Sequence, residues 1–260
     1  MSSVRAIFAF LLFAVIASPA LAQDNAPDDP QGNPMSARLS AEKVGDVETG
    51  SFSAGENLNF SLQPYGDKYL LRFADSPESY VLSVERIFLG GRILRYDTGV
   101  TALRVSVWGS MTLYTAGAPN GLPATKTGDD IAPSRPAVSR DDLTAALSDE
   151  ESHLAYTLGL KLKFSADPAV LDGKDAGLAF DALVSAAAGI ERLIATPGGR
   201  QALTRKFDSV RLVESGRPSV AISGKMLVVG FVPSAGEAGR ASSREVAVQL
   251  GKMLHIAEAG

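Results

Sequence analysis

Between residues 51 and 115 the hydrophobic positions recur every second residue, the period of a strand with one buried face. Leu58, Phe60 and Leu62 alternate with polar neighbours until Pro64-Tyr65-Gly66-Asp67 turns the chain. Strands are predicted at 68–74 and 80–85, on either side of Asp75-Ser76-Pro77, and at 93–96 after Gly90-Gly91. Beyond Asp97-Thr98-Gly99 a longer strand is predicted. It sets Thr101, Leu103, Val105 and Val107 on one face and Ala102, Arg104, Ser106 and Trp108 on the other. Residues 111–115 close the set. Short turns of Gly, Pro and Asp between such runs predict an antiparallel meander or small barrel for residues 37–115.

The period is lost at 116–138, which holds Pro119, Pro123, Pro133 and Pro136 and reads as a Pro-rich linker or surface loop. Residues 139–260 then mix both periods. Ser139 and Asp142 are spaced as a capping box opening a helix with Leu143, Ala146 and Leu147 on one side. Tyr156, Leu158, Leu160, Leu162 and Phe164 alternate with polar residues and predict a strand. Leu178, Ala182, Ala186, Ile190 and Leu193 mark an Ala-rich helix over 176–195, and Pro197 suits the first turn of another. Three strands follow at 210–214, 219–223 and 226–232, and Ser242 with Glu245 opens a last helix. The whole is predicted to be α+β, the second half carrying its helices on one face of a sheet.

The N-terminus changes the picture of where the protein works. Arg5 precedes twelve unbroken apolar residues at 6–17, and Ala20-Leu21-Ala22 places small residues as a signal-peptide cleavage site does. A twelve-residue helix rises about 18 Å, short of the ~30 Å hydrocarbon core. Cleavage after Ala22 and delivery to the periplasm, or beyond it, are therefore expected, and no later stretch is apolar enough to span a membrane. Residues 23–36 (QDNAPDDPQGNPMS) are too polar to bury and predict a disordered tether, with a short helix at 37–43. The chain has no Cys, so its fold relies on its core in an oxidising compartment. With 25 Lys+Arg against 29 Asp+Glu the net charge is −4, which argues against nucleic acid or anionic lipid as the principal partner. An envelope protein or a small ligand is the expected partner class, with oligomeric state left open.

The runs QPYGDKYLLRF (63–73) and GGRILRYDTGVTALRVSVWGSMTLYT (90–115) resemble an uncharacterised family of exported proteins from Gram-negative bacteria. That family is defined by a domain of unknown function spanning most of the mature chain, so the resemblance implies export and brings no activity.

Candidate chemistry is sparse. His153 and His255 belong to no metal-ligand spacing, and no metal or cofactor is expected. Ser40-Ala41-Glu42-Lys43 and Lys126-Thr127-Gly128 match fragments of penicillin-recognising enzymes without the intervening element. Gly198, Gly199 and Arg200 follow one helix and open another, so their amides form a candidate anion site. Asp97, Thr98 and Gly99 carry the most specific signal. Aspartic peptidases set the catalytic carboxylate in D-T-G on a tight loop between strands, where two facing aspartates share a proton and activate water. The layout resembles the retropepsin-like one, with Val228-Val229-Gly230 in place of that family's apolar-apolar-Gly element. Val100 departs from the Ala or Ser expected there, and no second D-T-G or D-S-G occurs, so a homodimer would have to supply the other aspartate. D-T-G is equally ordinary turn chemistry. The sequence favours non-catalytic binding or structural association, with a homodimeric aspartic peptidase and a small-ligand sensor module as alternatives.

Overall fold

The computed structural model describes residues 46–129, 137–171 and 175–256. The expected leader (1–22), tether (23–36) and helix at 37–43 lie outside the described residues.

The period-two region closes into an antiparallel barrel. Its strands are β1 (Gly50–Ala54), β2 (Leu58–Tyr65), β3 (Lys68–Phe73), β4 (Ser79–Arg86), β5 (Arg92–Arg95), β6 (Thr101–Val105), β7 (Met111–Thr115) and β8 (Ala118–Gly128). Each pairs with the next, and β8 returns to β1. Phe52, Phe60, Leu62, Leu71, Leu82, Leu94, Leu103 and Leu113 fill the interior, while Ser53, Asn59, Ser83 and Arg104 face outward. This is the reverse of a lipid-facing barrel. Five-residue strands such as β1, β6 and β7 also reach only about 17 Å, short of the ~25 Å apolar band of a membrane barrel.

Three expectations are corrected here. Within the supposed linker at 116–138, residues 118–128 form β8, paired with both β7 and β1. Pro119 and Pro123 lie before the β1 pairing begins at Ala54↔Ala124. There only β7 remains as a neighbour, and a missing N–H is tolerated at such an edge. The long strand expected to reach Trp108 ends at Val105. The chain turns there, with the Ser106 amide donating to Ser110 O at 2.9 Å. In the pairing of β6 with β5 the register shifts opposite Leu94 and Arg95, a bulge at Ala102 that turns it inward beside Leu103.

The third correction lies in the second half. Helix α1 (Arg140–Leu158) starts at the expected capping box: the Ser139 hydroxyl accepts from the Asp142 amide and the Asp142 carboxylate accepts from the Ser139 amide. Those bonds, the hydroxyl's donation to the carboxylate first, hold the Asp142 carboxyl below its ordinary value. The helix then runs 19 residues and absorbs Tyr156 and Leu158. Gly159 stops it at φ 60°, a left-handed position that glycine adopts without a side-chain penalty. Tyr156 is 94% exposed on this helix, and only β9 (Lys163–Ala166) is strand. Leu160, Leu162 and Phe164 are buried as expected.

After the single turn α2 (Pro168–Leu171) come α3 (Ala176–Ile194), α4 (Gly199–Lys206), β10 (Ser209–Glu214), β11 (Ser219–Ser223), β12 (Met226–Phe231) and α5 (Ser243–Leu254). The sheet order is β11-β12-β10-β9, with β9, β10 and β12 parallel and β11 antiparallel at one edge. Phe164, Val210, Leu212, Leu227 and Val229 point to the helices. The other face carries Lys163, Ser165, Arg211 and Val228, half-buried or exposed. Helix α3 is buried along most of its length through small residues such as Ala179, Ala182 and Ala186, which let it pack closely on α5. The barrel and the α/β half keep separate apolar cores.

The register at 156–164 is testable with two variants. Leu162→Ala, at a side chain 3% exposed, should destabilise by about 2–5 kcal/mol in chemical denaturation. Tyr156→Ser should stay within ~0.5 kcal/mol. Equal losses from both would restore the strand.

Candidate functional site

Between the two cores lies a layer of charged and hydroxyl side chains, built where two barrel turns meet the start of α5. The first turn is Asp97-Thr98-Gly99. Gly99, at φ 82°, lets the chain reverse, and its amide donates to Tyr96 O at 2.9 Å. The Thr98 amide donates to Asp97 Oδ1 at 3.1 Å, and the Val100 amide to Thr98 Oγ1 at 3.4 Å. This is the local turn chemistry expected of D-T-G. The Asp97 carboxylate also reaches across to the other half: Oδ2 accepts from the Ser242 amide at 2.8 Å and Oδ1 from the Ser242 hydroxyl at 2.7 Å.

The second turn, between β3 and β4, offers Glu78, which is 4% exposed. Its Oε1 accepts from the Ser243 amide at 2.7 Å and the Ser185 hydroxyl at 3.3 Å, and its Oε2 from the Ser243 hydroxyl at 2.5 Å. Both carboxylates therefore sit on the amides that open α5, where the helix dipole also favours negative charge. Two arginines complete the arrangement through the same serines. Arg192 Nε donates to Ser243 Oγ at 3.0 Å, and Arg240 to Ser185 Oγ at 2.6 Å. Glu78 is thus joined to each guanidinium by one intervening hydroxyl.

Arg240 goes on to Ser79 O at 2.7 Å and to Glu237 at 3.2 Å. Glu237 belongs to the 3-10 segment Pro233–Gly239, which lies along the barrel wall. The Tyr65 hydroxyl accepts from the Glu237 amide at 3.0 Å and donates to Ala235 O at 3.3 Å. Inside the barrel, a row of aromatic rings runs from Phe52 through Phe60 and Phe73 to Tyr80 and Tyr96. Arg244 of α5 stacks over its end, 4.2 Å from the Tyr96 centroid. Arg192 donates to the Tyr80 hydroxyl at 3.2 Å. Burial, and then the Glu78 charge beside it, push that phenol up to about 12.

Beside this layer an open cleft of about 390 Å³ is bordered by Asp97, Arg217, Arg240, Glu245 and Gln249. The remaining sequence candidates are dispersed. The Gly199 amide donates to Thr196 O at 3.0 Å, and Arg200 folds back onto Leu158 O at the end of α1. Val228-Val229-Gly230 lies in β12, in a different sheet from the Asp97 turn. Lys126-Thr127-Gly128 ends β8, and Ser40 to Lys43 lie outside the described residues. His153 bonds to Glu191 at 2.9 Å, and His255 ends α5. Among the described residues no group of three or more His, Asp or Glu is placed to hold a metal ion. Sequence reasoning reached Asp97 and Ser242 separately, and missed Glu78, Ser185, Ser243, Arg192 and Arg240.

A family model described as a domain of unknown function (DUF4908) matches residues 34–250. The chain belongs to that family. No curated protein and no solved structure matches it. The matched span takes in the barrel and nearly all of the α/β half, so in this DUF4908 chain the polar layer lies inside the family's domain.

Two measurements test the layer. A raised phenol pKa means the fold binds the Tyr80 proton more tightly than the unfolded chain does. Stability is then full below pH ~10 and falls as pH rises towards about 12. Tyr80→Phe should flatten that fall in pH-dependent denaturation. Glu78→Ala leaves the buried Ser243 amide without its acceptor and removes the carboxylate that the Ser243 and Ser185 hydroxyls link to Arg192 and Arg240, and should cost about 3–5 kcal/mol at neutral pH.

Proposed function

We propose that this is an exported protein of the bacterial envelope that acts by binding rather than by catalysis. The carrying observation is the engagement of Asp97 and Glu78, whose four carboxylate oxygens each accept a bond from Ser242 or Ser243. An aspartic peptidase needs a carboxylate facing a second carboxylate across a water, whereas Asp97 faces a serine and a helix terminus. Export is supported by the leader-like residues 1–22, and the absence of Cys fits an oxidising compartment.

The cleft at Asp97 favours a second reading, a small-ligand sensor. Its wall carries both signs of charge, Arg217 and Arg240 against Asp97 and Glu245, and it is bordered by both halves. A small polar ligand seated there would bridge the barrel and the α/β half.

Expression in a Gram-negative host, followed by fractionation and N-terminal sequencing, should return a periplasmic chain beginning at Gln23. Incubated with unfolded casein from acid to neutral pH, that chain should leave the substrate intact. Asp97→Asn should lower stability by about 1 kcal/mol, because an amide NH2 replaces one of the two accepting oxygens. Acid-optimal proteolysis that disappears in Asp97→Asn while the fold persists would overturn the reading in favour of the homodimeric peptidase.

A further inference from the structure

The polar layer occupies one end of the barrel; toward the other, Tyr65 beside the β2–β3 turn still bonds to the segment 233–239, while two further turns carry exposed rings. In an antiparallel meander alternate turns share an end, so the β4–β5 and β6–β7 turns lie opposite the turns of Glu78 and Asp97. They are also neighbours, because Arg92, which opens β5, pairs with Val105, which ends β6. Each projects one large ring into solvent: Phe88 is 90% exposed and Trp108 is 67% exposed. Ile87, Phe88 and Val107 together border an open groove of about 370 Å³. Apolar side chains this large gain nothing at such positions from the protein's own packing.

The charge around them is one-sided. Arg86 and Arg92 flank the Phe88 turn as a directly opposed pair, and Arg104 stands on the strand leading to Trp108. None of the three forms an ion pair among the described residues, whereas the nearby Glu85 is neutralised by Arg95 at 2.8 Å. Asp46 and Glu48 belong to the segment leading into β1, and Asp46 and Arg92 act with opposite sign on the Tyr69 phenol, so of the three arginines Arg92 has an acidic side chain in its surroundings. The net negative charge of the chain, which argued against anionic lipid, is a sum that hides this local excess of cations.

We infer that the Phe88 and Trp108 turns form a docking tip for the surface of an anionic phospholipid bilayer. The rings enter the headgroup–acyl boundary, and Arg86, Arg92 and Arg104 meet lipid phosphates. Two single rings on adjacent convex turns suit insertion into a soft interface, and unpaired cations beside them select its sign. No helix among the described residues is long and apolar enough to cross a membrane, so contact of this kind would be peripheral. The inference deepens the binding reading and rests on it for access to an envelope membrane.

Trp108 is the only tryptophan of the chain, so its fluorescence reports on this tip directly. The full mature chain is mixed with vesicles of phosphatidylcholine alone, or of phosphatidylcholine with about one third phosphatidylglycerol. Binding is read by co-sedimentation and by the emission maximum. The phosphatidylglycerol vesicles should bind at least tenfold better, with a blue shift of emission, and added salt should weaken both. Phe88→Ser should reduce binding about tenfold with unchanged thermal stability, and the pair Arg86→Glu with Arg104→Glu should abolish the preference for anionic lipid. No sedimentation with either vesicle, sedimentation without a blue shift, or an unaffected Phe88→Ser would each overturn the tip. So would a blue shift on self-association without lipid, which would make the patch a contact between copies. Periplasmic recovery and the casein assay are independent of lipid, so failure here leaves the binding reading standing, and its failure is read separately.

Discussion

The start of α5 is the point on which the arrangement of the molecule depends. A helix N-terminus presents amides with no intrahelical partner and a partial positive charge. Here Ser242 and Ser243 give their amides and hydroxyls to Asp97 and Glu78 of the barrel. The helix end that could hold a foreign anion is occupied by the chain's own carboxylates. Moving the barrel relative to α5 would therefore strand two anions and the amides they satisfy, and a buried polar group without a partner is expensive.

That layer does a different job from the cores on either side. Each half buries its own apolar set, so hydrophobic packing within a half says little about how the halves meet. The polar layer supplies that information through directional bonds. Each arginine reaches Glu78 through a serine, and removing a hydroxyl interrupts a path between opposite charges. Buried ionic networks seldom add much net stability over an apolar packing of the same shape. Their directionality fits the need to define one orientation between two independently packed bodies. Arg244, stacked on Tyr96 at the end of the aromatic row, carries the same orientation into the barrel core.

The parts legible in the sequence are those where many residues repeat one rule. Period two announced the barrel, small residues at helical spacing announced α3, and serine caps announced α1 and α5. Legibility failed where a single residue outweighed the pattern. Gly159 ended a helix inside what read as an alternating strand, and the prolines of β8 masked a strand that tolerates them where only one neighbour remains. The polar layer was illegible for another reason. Glu78 and Ser243 are 165 residues apart, and each alone is an unremarkable polar residue in a turn or at a helix start. Only closure of the barrel and packing of α5 on α3 bring them together.

Asp97 illustrates how little a local motif decides. A D-T-G turn needs a glycine that can reverse the chain and a hydroxyl and carboxylate that cap the turn's own amides, and those demands are the same in a catalytic loop and in a structural one. The environment of the remaining lone pairs makes the difference. Against a second carboxylate they would share a proton and hold a water; against Ser242 they hold a helix end. The same tie bears on the direction of the barrel with respect to the α/β half, and so on where the turns at its other end point. A carboxylate at one end thereby bears on recognition at the other without touching it: it keeps the Phe88 and Trp108 turns pointing away from the body that anchors them.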